Sequence, residues 1–548
     1  MLGDETPHEG AVRQPIIVKA LRRERERVGR GRRENRDEMK ILLMSMPDVA
    51  PVIMHESAFH MPNCGIASVG ANIDDCHEVF TVDLIRKRGQ LVKYLSKILR
   101  KIRPAVVGLS AMAWQYETCV KLIRFIRHLL PEVKIVIGGY HATLMYEEIA
   151  ASPEAGLIDF MVRGEGEESF RRLVNALEGR DRFEDIPSLS YKDRGLFVHN
   201  PRGELLDLSR LKIPIRDKRR LTSGYHVMVS KVEVMETSRG CTRTCSFCSM
   251  KHMYGQAFRT FPIERVLADI DDIYYSRRTR LIFVADDNLV LDPERVIKIC
   301  DAIIARNYRG LKLIVQADCV SMSRNEEMVR KMSLAGMQSI FLGIENVSKK
   351  NLAAAHKGDI VDASRKAVRM CHKYGIMVVA GLIFGFPDDD EADIIENYNF
   401  LKSLDADSAY CQILTPYPKT VMRQQLLDQG LVTNPHDYKW YNGIWANVKT
   451  RHLETEQLQY LVWLHRQKII GWWEPSRRAK SQGPLWIPIW TYAFRPLMKL
   501  ILGRRLAKLG WEGRYGLDMK RQAGVNVFKD LTDVRQDDVS GLQPRASS

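Results

Sequence analysis

Three cysteines, Cys241, Cys245 and Cys248, fall within eight positions of the stretch ETSRGCTRTCSFCSM, residues 236–250. Thiolates at such spacing bind metal, close disulfides or simply pack. Ten cysteines in 548 residues are too few for a disulfide scaffold, so the group reads as metal ligands in reducing surroundings. Three ligands on one short loop can hold three irons of a [4Fe–4S] cluster and leave the fourth iron open to an outside ligand. His252, four positions after Cys248, keeps a zinc site under consideration. Plain packing of buried cysteines is the remaining reading.

The elements around this loop form a repeating pattern. Six apolar runs beginning at VEVMETS (232–238) read as strands: RLIFVADD, KLIVQAD, SIFLGIE, GIMVVAGLIFG and SAYCQILTPYP follow, separated by amphipathic helical segments. Six β/α units are too few for a closed eight-stranded barrel, so an open, partial barrel is expected. Polar residues gather where the strands end: Asp286 and Asp287, Gln316 and Asp318, Glu345, and Thr415. That rim carries the chemistry of barrel-like folds.

An earlier block, residues 39–185, alternates strands and helices with five apolar runs, indicating a doubly wound parallel sheet. Ligands of such sheets bind at the carboxyl ends of the strands. Those ends carry Ser110 in GLSAMAW, and Gly138, Gly139 and His141 in IGGYHAT. The two glycines would let a flat ligand approach the backbone closely. Residues 186–225 read as a linker with room for a hairpin, and residues 1–38 as a disordered, charge-balanced arm.

The C-x3-C-x2-C loop with Phe247 before its last cysteine, directly after the first strand of a partial barrel, resembles the radical S-adenosylmethionine (SAM) family. By that resemblance, Cys241, Cys245 and Cys248 hold a [4Fe–4S] cluster whose open iron is chelated by SAM, and reduction yields a 5'-deoxyadenosyl radical. ADDN (285–288), GIE (343–345), GLIFGFPDDD (381–390) and LTPYPKT resemble the family's other motifs. They imply SAM contacts for Asp287, Gln316, Glu345, Gly381 and Gly385. Asp388–Asp390 stand where relatives often have Glu-Thr, and Lys419 where they usually have Gly. The domain at 39–185, including VRGEGEESF (162–170), resembles the cobalamin-binding domains that precede such barrels. This implies cobalamin contacts at Ser110, Gly138, Gly139 and His141. Asp75 and His77 give only part of the D-x-H-x-x-G motif of free-standing cobalamin domains, and Phe80 replaces its glycine. His77 therefore reads as an ordinary surface histidine.

The implied enzyme is a cobalamin-dependent radical SAM methyltransferase with a core at 226–435. It would methylate an unactivated carbon through methylcobalamin, using a reductant such as flavodoxin or ferredoxin. Oxidative cyclisation of a tetrapyrrole and a non-enzymatic cobalamin or iron–sulfur sensor are the alternatives. Cys64, Cys76 and Cys119 lack the motifs of the second cluster of tRNA methylthiotransferases and read as packing residues. So do Cys300, Cys319, Cys371 and Cys411.

The net charge of +16 points to an anionic partner. Half of it lies after residue 474, where 14 Lys/Arg face 6 Asp/Glu. The region 436–548 reads as helical, basic and Trp-rich. Its stretch 484–510 is apolar but interrupted by Pro488 and Pro496, which suits either a helix packed on the main body or peripheral contact with the inner face of a membrane, rather than spanning. A lipid, with hopanoid C-3 methylation as the specific guess, is the expected substrate. No nucleic acid partner is expected. The absence of an apolar leader makes the reducing cytoplasm the expected compartment.

Overall fold

The computed structural model describes residues 38–49, 59–472, 509–528 and 531. Strands β1 (Lys40–Ser45), β3 (Glu78–Asp83), β4 (Val106–Ser110), β5 (Lys134–Gly138) and β6 (Phe160–Val162) form a parallel sheet in the order β3-β1-β4-β5-β6. Their near-continuous apolar sequences fit burial on both faces. Leu42, Met44 and Val107 pack on one side, while Ile41, Leu43 and Val106 pack on the other.

The stretch 186–225 is more than a linker. Strands β7 (Leu189–Asp193) and β8 (Leu196–His199) pair antiparallel and extend the first sheet. Arg194 and Gly195 turn between them with φ of 48° and 87°, the left-handed pair that a tight hairpin needs. Residues further on are wedged between the two sheets. The Arg219 guanidinium holds Glu233 at 2.8 and 3.2 Å and approaches Asp83 at 3.7 Å. Tyr225 donates to Asp83 at 3.0 Å. Arg216, also buried, donates to Asp269 at 2.6 Å and to the Val234 carbonyl at 2.9 Å.

The second sheet carries six parallel strands in sequential order: β10 (Ser230–Met235), β13 (Leu281–Val284), β14 (Lys312–Asp318), β15 (Met337–Glu345), β16 (Met377–Phe384) and β17 (Ser408–Ile413). This is the open, partial barrel expected, with a separate two-stranded ribbon formed by β11 (Ser238–Arg239) and β12 (Arg259–Thr260). Its edge beyond β10 is covered by antiparallel β9 (His226–Val227), which pairs with β2 (Phe59–His60) from the earlier block. Such pairing protects an otherwise open edge.

Helix Thr455–Trp472 packs on the barrel, where Tyr398 donates to the Val462 carbonyl at 2.9 Å. Trp463 is buried, donates to Asp518 at 2.9 Å and meets Trp511 edge-on. Trp463 therefore packs into the fold; Trp473, Trp486, Trp490 and most of the stretch 484–510 lie outside the described residues, as does nearly all of the 1–38 arm. The chain then returns to the first sheet. Asn526 exchanges two 3.1 Å hydrogen bonds with the Val49 backbone, and Phe528 and Leu531 enter that sheet's core.

Beside this contact Asp48 is buried, accepts from Thr118 at 2.8 Å, and leaves Oδ2 without a partner. Burial pushes its carboxyl up to about 7, against the opposing Thr118 bond. A carboxyl raised in the folded state contributes stability at low pH that is lost as pH rises through the folded value. Asp48→Asn should therefore gain on wild type by on the order of 2–4 kcal/mol between about pH 4 and pH 8, measured by denaturant unfolding across that range.

Candidate functional site

The cysteine loop is pinned at its entry by the carboxylates that end β13. Asp286 accepts from the Thr237 amide and hydroxyl, both at 2.6 Å, and from the Ser238 hydroxyl. Asp287 accepts from the Gly240 amide at 3.1 Å. Gly240 has φ of 83°, and a Cβ there would lie 2.2 Å from the Ala257 carbonyl oxygen, so no other residue fits this turn. Further along, Ser246 donates its amide to Ala355 at 3.1 Å and its hydroxyl to Ala354 at 2.7 Å, while its carbonyl accepts from Met422. The loop is thus fixed from three directions by barrel-rim segments.

Cys241 is buried, and Cys245 and Cys248 are half-buried. Burial pushes the Cys248 thiol up to about 11 and raises that of Cys245. Thiolates so placed need an adjacent cation, which coordinated iron supplies. Among the described residues no three His, Cys, Asp or Glu side chains converge as a single ion requires. A [4Fe–4S] cube binds each thiolate to a different iron, so its ligands stand further apart. His252, the fourth ligand of the zinc reading, instead sets Nε2 2.7 Å from the Lys419 carbonyl.

Along the rim, Gln316 donates to the Asp286 carbonyl at 3.2 Å. Glu345 has φ of 65°, unusual for a residue with a side chain, and pairs with Lys357 at 2.9 Å. It sits where the β15–β16 register shifts. A Cβ on Gly343 would meet Glu345 Oε1 at 2.6 Å, so glycine makes room for this carboxylate. Gly381 and Gly385 have packing reasons as well: added Cβ atoms would lie 2.5 Å from Phe341 and 2.7 Å from Leu458. Asp389, in the aspartate run, accepts from the Gly385 and Phe386 amides at 2.9 and 3.0 Å, while Asp390 caps the next helix. Lys419 adopts φ of 62°, the backbone state in which glycine is at ease, and its ammonium pairs with Glu147 at 2.8 Å. Phe247 packs against the barrel core.

A cavity of about 620 Å³ lies between the first sheet and the β10 and β13 ends of the barrel; none of the three cysteines, nor Gln316, Glu345, Gly381 or Gly385, lines it. Ser110, Gly138 and Gly139 line one side, Glu236 and Asp287 the other, with Tyr140 and Tyr254 between. A Cβ on Gly138 would meet protein only at 3.5 Å, so the glycine leaves open space that a bound group can use. Gly139 is required by its φ of 85° and by Ala111 O, 2.9 Å from where its Cβ would lie. Burial holds Asp287 up at about 6, raises Glu236, and keeps both phenols well above their usual range. At neutral pH the tyrosines are donors and Asp287 is mostly an acceptor.

Two histidines stand differently from expectation. His141 does not line the cavity. It is buried on the far side of its helix, stacked on Tyr116 at 4.1 Å and edge-on to Tyr438 at 5.5 Å. Burial drives its pKa down to about 3. His77 is not a surface histidine. Its side chain is buried between Glu178 at 3.6 Å and Arg180 at 3.2 Å.

Other residues escaped the sequence reading. Helix Cys64–Ala71 is capped by Asn63, which accepts from the Ile66 amide at 3.0 Å. It brings Asn63, Cys64, Ile66 and Val69 to the cavity wall. Asn63 as an N-cap was the available signal, masked by the two glycines that follow it. Burial raises the Cys64 thiol. Arg239 was missed too. It is buried and binds Glu165 at 2.9 Å, Glu167 at 2.6 Å and Glu236 at 3.0 Å. Arg259 adds a second cation on Glu165 at 3.0 Å. At Glu167 the burial penalty is outweighed by Arg239 and the carboxyl is lowered; at Glu236 burial wins and it is raised.

Residues 50–174 match the B12 binding domain family, and residues 235–401 the Radical SAM superfamily. An uncharacterized methyltransferase of Pyrococcus horikoshii is 28% identical over 77% of this chain and 91% of its own length. The hopanoid C-3 methylase of Methylococcus capsulatus is 26% identical over 62% of this chain and 66% of its own length. The anaerobic magnesium-protoporphyrin IX monomethyl ester cyclase of Cereibacter sphaeroides is 25% identical over 66% of this chain, which spans 59% of it. In fold, the chain is similar to the radical SAM methyltransferase TsrM of Kitasatospora setae, with a TM-score of 0.58, 18% identity and coverage of 72% and 75%. It is similar also to the cobalamin-dependent SAM radical enzyme OxsB, with a TM-score of 0.58, 18% identity and coverage of 80% and 62%. The chain thus carries a B12 binding domain followed by a Radical SAM domain, and the cofactors of this pairing are a [4Fe–4S] cluster, SAM and cobalamin.

Gly138→Leu should fill the cavity beside β5. Reconstituted protein is expected to lose cobalamin binding at least about tenfold while keeping its iron content and melting temperature, read from the visible spectrum, iron assay and thermal melt. Arg239→Met should cost about 3–5 kcal/mol by stranding buried carboxylates and reduce iron and cobalamin retention together.

Proposed function

We propose that the protein transfers a methyl group from SAM to an unactivated carbon of a hydrophobic substrate bound between its two domains. The observation that carries this reading is the shared cavity, walled by the cobalamin-domain strand ends and by the β10 and β13 ends of the barrel. When bound, the cluster and SAM supply a 5'-deoxyadenosyl radical, and cobalamin carries the methyl group. Cys241, Cys245 and Cys248 would hold the cluster. Phe247, Gln316, Glu345, Gly381 and Gly385 would border SAM, and Ser110, Gly138 and Gly139 would border cobalamin.

The chain's own tasks follow from its chemistry. Ile66, Val69, Phe170 and Phe283 give the cavity apolar walls that exclude water and suit an apolar substrate. Tyr140 and Tyr254 offer donors there, and Glu236 and Asp287 offer acceptors that orient polar groups. His141, set behind the cavity, is not suited to contact cobalamin.

Methylases of a hopanoid and of a bacteriochlorophyllide among the relatives support a bulky hydrophobic substrate, and we favour a hopanoid-like lipid. The basic C-terminal region supports peripheral contact with an anionic membrane face. Among the described residues no helix is long and apolar enough to cross a membrane, while Leu509, Trp511 and Leu517 are exposed near Arg514 and Lys520. The magnesium-protoporphyrin cyclases among the relatives favour one rival, oxidative cyclisation of a tetrapyrrole.

Anaerobic incubation of reconstituted protein with a reductant and methyl-labelled SAM, in parallel with lipid extract and with a magnesium-porphyrin ester, separates the two. Methyl transfer predicts a labelled lipid heavier by one CH2, with S-adenosylhomocysteine and 5'-deoxyadenosine formed alongside. An unlabelled extract would sink the lipid reading, and an oxidised, unmethylated tetrapyrrole product would establish the cyclase.

A further inference from the structure

Asp286 and Asp287 pin the entry of the cysteine loop. The residue after them, Asn288, is buried at 5% exposure and turns its side chain elsewhere, toward the end of β14 and the first cysteine.

Three contacts fix its amide. Oδ1 accepts from the Asp318 backbone N–H at 3.2 Å. A backbone N–H can only donate, so the oxygen and nitrogen of this amide cannot change places. Nδ2 donates to the Asp318 carboxylate at 3.0 Å and lies 4.0 Å from Cys241 Sγ, within reach of a hydrogen bond to sulfur. Asp318 is itself held, accepting from the Ser321 amide at 2.9 Å and from Arg243 at 3.3 Å. Burial works against its charge, but the bonds from Ser321, Asn288 and Arg243 outweigh it and keep the carboxyl below its usual range. An ionised carboxylate only accepts. The Asn288 nitrogen therefore has one hydrogen for Asp318 and one for the sulfur.

The residue type matters here. An aspartate at this position would set a second carboxylate against Asp318 and beside a ligating thiolate. Asparagine is neutral and serves both acceptors at once. Cys248 is met instead by the Met250 backbone amide, so the donor to Cys241 is one that a side-chain substitution can remove.

We propose that Asn288 is a positioning residue for the metal centre: its amide donates to the Cys241 sulfur and raises the reduction potential of a cluster held there. The proposal rests on Cys241, Cys245 and Cys248 holding a [4Fe–4S] cluster and does not depend on the substrate. Hydrogen bonds to the sulfurs are among the levers that set such potentials. The sign follows from charge. A gained electron makes the thiolate a stronger acceptor, so the N–H bond stabilises the reduced state more than the oxidised one.

The test uses full-length protein reconstituted anaerobically with iron and sulfide, without SAM or cobalamin. It is titrated with titanium(III) citrate, each titanium losing the one electron that a cluster gains. Asn288→Leu should lower the reduced-to-oxidised ratio at a fixed potential about tenfold, a shift of about 59 mV for one electron, read from the EPR amplitude of the reduced cluster. Pulsed EPR of wild type grown on isotope-labelled asparagine should show a labelled-nitrogen coupling to the reduced cluster, lost in the variant. If Asn288→Leu holds less iron than wild type, Asn288→Ser is titrated in its place, and the labelling measurement on wild type stands by itself. A role confined to joining the ends of β13 and β14 predicts a lower melting temperature at an unchanged potential. That result at wild-type iron content, or no asparagine coupling in wild type, would overturn the proposal. A wild type without a cluster, seen directly in the iron assay and visible spectrum, would overturn the assignment of the three cysteines and this proposal with it.

Discussion

One buried guanidinium ties the two halves of this protein together. Arg239 lies two residues before Cys241 and binds Glu165 and Glu167, which belong to the B12 binding domain. Its own strand end supplies Glu236. Such a cluster is costly to desolvate and only worth keeping when geometry is good. Here the geometry fixes a relation: the segment that enters the cysteine loop cannot shift without breaking contacts to the opposite domain. The cavity between the domains takes its shape from that constraint.

Other contacts serve the same relation. Arg219 reaches from the segment between the sheets to Glu233 on β10 and toward Asp83 on β3. Strand β2 crosses from the first block to the edge of the second sheet. Lys419 adopts a left-handed backbone and pairs with Glu147 of the first domain. Asp286 and Asp287 pin the loop entry from the barrel side. The glycine-lined strand ends, the two phenols and the β10 and β13 ends are therefore held facing one volume, with the cysteine loop anchored beside it by Asp286 and Asp287.

Much of this was legible in the sequence, and particular residues explain where legibility stopped. The six barrel strands are long apolar runs, and all six form. The three cysteines stand out because reactive residue types at short spacing survive without any knowledge of packing. Helix Cys64–Ala71 was hidden because glycines and β-branched residues weaken its helical signal, and tertiary packing overrides propensity. The hairpin β7–β8 was visible only as turn signals in a stretch read as a linker with room for a hairpin. Arg239 and Arg219 carried no signal in the sequence, because a buried ion cluster assembled from distant segments leaves no local pattern. His77 and His141 mark the same limit. Their residue type suggests a ligand or a solvated surface, whereas their neighbours in space bury both among protein groups.

The central claim is that one cavity serves both cofactors. The most direct measurement is the EPR spectrum of anaerobic protein carrying both cob(II)alamin and the one-electron-reduced cluster. Mutual broadening or splitting of the two signals is predicted, absent from samples that carry either centre alone. Two unperturbed signals in the doubly loaded protein would contradict it, and would mean that the contacts around Arg239 do not bring the two cofactor sites to a common chamber.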